Sequence, residues 1–95
     1  MSNLLARVKQ LFGIYEPNTE YTVPLNKIIV PKCYMRSTIG QKKWIHKLNY
    51  FENTGTFESK IIVRKDGDLF RLVDGYSSVK IAYIHNIKKV PVWFV

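Results

Sequence analysis

The run Asp74-Gly75-Tyr76-Ser77-Ser78 is where polar chemistry and a foreseeable local geometry coincide in this 95-residue chain. It follows the apolar pair Leu72-Val73 and precedes Val79-Lys80-Ile81-Ala82, so a strand should end at Asp74–Gly75 and a helix begin at once. The first N–H groups of a helix have no acceptor inside it, and the helix dipole adds partial positive charge there. Such a start, with two hydroxyls in its first turn, can hold an anion. The helix end alone contributes only about 0.3–1 kcal/mol toward a surface charge. Tight binding therefore needs added cations, and Arg36 and Arg64 are the candidates to supply them. A purely structural role is equally open: Asp74 and Ser77 capping the helix, Gly75 making the turn.

A second constellation lies upstream. On a helical wheel Lys42, Lys43, His46, Lys47 and Tyr50 share one face, opposite Trp44, Ile45, Leu48 and Phe51. A basic face of this kind suits nucleic-acid phosphates, and equally suits solvent. Elsewhere the chemistry is thin. Cys33 is the single cysteine, so no internal disulfide forms and the chain is no disulfide-stapled scaffold. Asp66 and Asp68 flank a turn glycine and read as turn chemistry, not as a metal site. No metal-ligand spacing and no phosphate-loop motif occurs, so neither a metal nor a cofactor is expected.

These residues must be positioned by one small domain. Lysine and arginine number 15 against 7 acidic residues, a formal charge of +8, which favours anionic partners. No apolar run is long enough for a signal peptide or a membrane span, so the expectation is a cytoplasmic protein with no membrane contact. Residues 3–12 read as an amphipathic helix, with Leu4, Leu5, Val8, Leu11 and Phe12 on one face. Residues 14–20 then read as a linker. The helix could dock on the domain, on a protein partner or on a second copy. Short strands are expected around Tyr21–Leu25 and Ile28–Val30, and an irregular loop after Pro31. A helix capped by Ser37 or Thr38 spans about 38–53. Strands at 60–64 and 69–73 flank an Asp66-Gly67 hairpin turn. A third helix covers about 77–86, apolar over much of its circumference, with Asn86 suited to a left-handed cap. A last strand at 90–95 contains Pro91, which argues for an edge position or a strand start. The order implies an α+β fold with three helices on a small mixed sheet.

From residue 23 onward the chain resembles the ParB/sulfiredoxin superfamily, in particular the ParB-like nuclease or N-terminal domain. Val23-Pro24-Leu25-Asn26-Lys27-Ile28 looks like that family's opening strand. Pro31-Lys32-Cys33-Tyr34-Met35-Arg36 is similar to its proline-to-arginine loop, with Arg36 at the arginine. Ile61-Ile62-Val63-Arg64 with Asp66-Gly67 matches the central hairpin. Leu72 to Ser78, followed by Pro91-Val92, matches the strand–helix junction and closing strand. The resemblance implies residues 21–95 as the domain, and a phosphate site at the junction.

The departures restrict the chemistry. Sulfiredoxins carry their catalytic Cys after the glycine, followed by His and Arg. Nucleotide-binding relatives carry phosphate-gripping arginines there. Here Tyr76, Ser77 and Ser78 stand in those places. The resemblance thus implies a non-enzymatic binding module for nucleic acid or a nucleotide or phosphate ligand, with a degenerate family site. The expected ligand contacts are Arg36, Arg64, Asp74, Gly75, Tyr76, Ser77 and Ser78, with Lys42, Lys43, His46 and Lys47 for nucleic acid. One alternative is a nuclease or nucleotide hydrolase using Asp74 and magnesium. Another is a protein-interaction module of a phage or mobile element.

Overall fold

A computed structural model describes residues 14–36 and 40–95, without the side chains of Met35 and Arg36. The expected helix at 3–12 and the capping role of Ser37 or Thr38 lie outside the described residues.

The strands are β1 (Glu20–Pro24), β2 (Ile28–Ile29), β3 (Ile62–Asp66), β4 (Leu69–Asp74) and β5 (Lys89–Phe94), and the helices are α1 (Lys32–Arg36), α2 (Gln41–Thr54) and α3 (Tyr76–Ile84). They form one mixed sheet of five strands in the order β1-β5-β3-β4-β2. β1–β5 and β3–β4 pair antiparallel, whereas β3–β5 and β2–β4 pair parallel. The architecture is the expected α+β arrangement.

Alternation along the strands gives the sheet one buried face. Tyr21, Val23, Val63, Phe70, Leu72, Val90, Val92 and Phe94 point into the core, where they meet Val79 and Ala82 of α3. Residues 14–20, expected as a linker, are tied to this face. Tyr15 stacks on Phe94 with centroids 4.4 Å apart, and the Asn18 N–H donates to the Phe94 carbonyl at 3.0 Å.

Several local expectations are corrected. The hairpin loop is Gly67-Asp68 and not Asp66-Gly67, because Asp66 pairs with Leu69 inside the ladder. Gly67 has φ of 60°, which puts glycine at the first loop position of a two-residue turn. Asp66 is held in the strand by Arg71, whose guanidinium lies 2.8 Å from its carboxylate.

Pro91 does not mark an edge, since β5 lies between β1 and β3. The Trp93 N–H donates to Ile61, on the β3 side. Two residues earlier, Pro91 aims the same way but falls short of the β3–β5 ladder, which starts at the Ile62–Trp93 pair. The missing donor has nothing to bond.

The stretch after Pro31 is not an irregular loop but the short helix α1. α2 begins at Gln41, with Gly40 as a cap that lends no side-chain bond, and ends at Gly55 with φ of 74°. α3 is less enclosed than its apolar sequence implies. Ser77, Ser78, Val79, Ile81 and Ala82 are buried, whereas Tyr83 and Ile84 are more than half exposed. Asn86 takes the expected left-handed conformation, φ 55°. Among the described residues, no helix is long and apolar enough to cross a membrane.

Candidate functional site

The junction at the end of β4 is built around one glycine. Gly75 caps α3 with φ of 91°. A Cβ at this position would lie 2.2 Å from the Lys60 carbonyl oxygen and 2.9 Å from the Ile61 Cα. Only glycine permits both the left-handed turn and the close approach of the chain entering β3. The Ser78 hydroxyl secures this approach by donating to the Ser59 carbonyl at 2.6 Å.

Neither Asp74 nor Ser77 caps the helix by a side-chain bond. Asp74 Oδ1 accepts the Gly75 N–H at 2.8 Å, which holds the turn. The Ser78 and Val79 N–H groups both donate to the Gly75 carbonyl. Those of Tyr76 and Ser77 precede the first helical acceptor.

A cavity of about 520 Å³ opens at this point, and Asp74, Gly75, Tyr76 and Ser77 all line it. Three further segments complete the wall. α1 contributes Tyr34, α2 contributes Lys47, and the entry to β3 contributes Ser59 and Lys60. The β-ladder explains the last of these. The Ile62–Asp74 pairing sets the residues before β3 beside the residues after β4.

Lys47, Lys60, the carboxylate-bearing Asp74 and the first two residues of α3 line the cavity together. Lys47 is already engaged. Its ammonium lies 3.0 Å from Glu58 Oε1 and also donates to the Ser59 hydroxyl. Glu58 reaches His46 with its other oxygen, at 3.0 Å. The Lys47 hydrogen bond, chiefly, holds the Glu58 carboxyl below its ordinary range, aided by the Ser59 hydroxyl and the charges of Lys47 and His46. Tyr34 donates its hydroxyl to the Val73 carbonyl. Burial above all, then the neighbouring Asp74 and Cys33 charges, raises this phenol above its ordinary value. It is therefore a neutral donor at physiological pH. Its ring lies beside that of Tyr76, centroids 5.8 Å apart at 43°.

The expected ligand set divides. Asp74, Gly75, Tyr76 and Ser77 come together on the cavity. Ser78 is buried and spends its hydroxyl on the Ser59 carbonyl. Arg64 is exposed on β3 opposite Arg71 and does not line the cavity. The Arg36 side chain lies outside the described residues.

The basic stripe divides too. Lys47 turns to the cavity, His46 pairs with Glu58, and Lys42 and Lys43 stay exposed. Sequence reasoning missed Tyr34 and Lys60. Lys60 was within reach, because counting back from the hairpin turn brings residue 60 opposite the junction. Among the described residues, no group of three His, Cys, Asp or Glu side chains is arranged to hold a metal ion.

The fold that carries this cavity is that of the ParB/sulfiredoxin proteins. The chain is similar to the C-terminally truncated chromosome-partitioning protein ParB from Caulobacter crescentus complexed with CTP-γ-S. That match has a TM-score of 0.64 and 17% identity, covering 82% of this chain and 44% of that one. Sulfiredoxin from Arabidopsis thaliana superposes with a TM-score of 0.65 at 17% identity, over 81% of this chain and 84% of that one. A free serine kinase in complex with AMP matches with a TM-score of 0.63 at 16% identity, over 85% of this chain and 32% of the kinase. The chain thus spans less than half of the partitioning protein and about a third of the kinase. No protein-family model and no curated protein sequence matches it.

Proposed function

We propose that this chain is a binding module for a phosphate-bearing ligand of the nucleotide or nucleic-acid class. The observation that carries the reading is that Lys47, Lys60 and the first residues of α3 line one cavity. Charge-assisted bonds from ammonium groups to phosphate are stronger than neutral ones, and the helix start adds to them. They supply the cationic support that the helix end lacks by itself. Tyr34 and Tyr76 give the cavity aromatic rings against which a base can pack. The nucleotides bound by the similar partitioning protein and kinase support the same ligand class.

The site reads as binding rather than turnover. Ser77 has no histidine beside it on the cavity, and the Tyr34 phenol is held protonated. The enzymatic alternative rests on Asp74, whose carboxylate lines the same cavity. Under that alternative the carboxylate would hold magnesium for hydrolysis.

Calorimetric titration with mononucleotides and inorganic phosphate, with and without magnesium, tests both. The binding reading expects saturable binding that Lys60→Ala weakens, with no product formed. Magnesium-dependent hydrolysis abolished by Asp74→Asn would establish the enzyme instead.

A further inference from the structure

Beyond the phosphate cavity, a second cavity of about 260 Å³ opens on the far side of Lys60. Ser59 and Lys60 line both spaces, so the two cavities adjoin along these residues. The second space is bounded by Trp93 and Pro91 of β5, by Phe57, and by the Glu20 carboxylate. The Lys60 ammonium sits 5.0 Å from the centre of the Trp93 ring. Cation–π attraction of this kind holds an otherwise mobile lysine over an aromatic face.

We infer that the two cavities form one groove for single-stranded nucleic acid, two bases long, with the bridging phosphate at Lys60. This rests on the phosphate reading of the first cavity and extends it. The order of groups carries the argument. Tyr34 and Tyr76 line the first cavity, Trp93 lines the second, and Lys60 lines both. Base, phosphate, base is the repeat of a single strand, and every base has a π-face to stack. Lys60 moves from the Trp93 ring to the phosphate as the second base takes its place. Glu20, the one carboxylate in the second cavity, repels a phosphate and accepts a hydrogen bond from a base N–H. It thus orients the strand with its base, not its phosphate, against Trp93. Paired bases in a duplex have no free face for this wall.

The test uses the full chain carrying Trp44→Phe, which leaves Trp93 as the single tryptophan. The probes are thymidine 5′-monophosphate, a thymidine dinucleotide and a thymidine hexamer. The oligomers are expected to bind about tenfold more tightly than the mononucleotide and to quench Trp93 emission. Trp93→Leu should erase that advantage while leaving mononucleotide affinity in place. Oligomers that bind no better than the mononucleotide, or leave Trp93 emission unchanged, overturn the two-base groove and leave the phosphate cavity standing. Binding of no probe at all overturns the phosphate reading, and the groove with it.

Discussion

Gly75 decides whether the site exists. Its positive φ is strained for any L side chain, and a Cβ would strike the Lys60 carbonyl at 2.2 Å. Gly75→Ala should cost at least about 2 kcal/mol of folding stability. In thermal unfolding this reads as a fall in Tm on the order of 10 °C. The adjacent serines separate structure from binding. Ser78→Ala leaves the half-buried Ser59 carbonyl without its donor, so denaturant unfolding should show a loss on the order of 1 kcal/mol. Phosphate affinity of the folded fraction should hold. Ser77→Ala should do the reverse, keeping the denaturant midpoint and weakening phosphate binding.

At the scale of elements, α2 reaches the sheet through Glu58, Lys47 and His46. The Glu58 carboxyl titrates below its ordinary value of 4.5 in the folded chain. Such a group adds stability above its unfolded pKa, and that stability is lost as pH falls through the folded value. Acid unfolding of Glu58→Gln should therefore be shallower than that of the parent chain below about pH 5, with the two curves meeting at low pH. The same variant frees Lys47 from its carboxylate. Phosphate affinity at neutral pH should rise by up to about fivefold. A drop in affinity would show that Glu58 positions Lys47 for the ligand instead of competing with it.

At the scale of the whole molecule, the charge of +8 acts as a field as well as through contacts. Lys42 and Lys43 are exposed and off the cavity, so under the proposed reading they act through the field. Reversing both to glutamate should slow association of a long single strand and flatten its salt dependence. Mononucleotide affinity should stay within about twofold, because the Debye length is near 10 Å at 0.1 M salt. Lys60→Ala should weaken every phosphate ligand by about tenfold. Equal losses from both variants, measured by salt-titrated binding, would place the ligand on the α2 face and not in the cavity.

How much was legible beforehand follows the range of the forces. The β4–α3 junction, the hairpin, the Asn86 helix end and the α+β class are set by turn residues and hydrophobic period. Those act within a few residues and can be read along the chain. The hairpin register differs by one residue from the Asp66-Gly67 reading because Gly67 takes the left-handed first position of the loop, which leaves Asp66 in the ladder opposite Leu69. Pro91 misled because strand order depends on the crossing of α3, and no local signal records it. Tyr83 and Ile84 lie exposed on a helix apolar over much of its circumference, because apolar character alone does not say which side of a helix meets the sheet. The junction itself, its glycine and its two serines were determined by sequence. That Lys47, Lys60, Tyr34 and Asp74 share a cavity, while Arg64 stands apart, was decided by tertiary structure. Those residues lie up to 40 positions apart, and the β3–β4 pairing, the α2–α3 contact and the Tyr34 bond to the Val73 carbonyl bring them together.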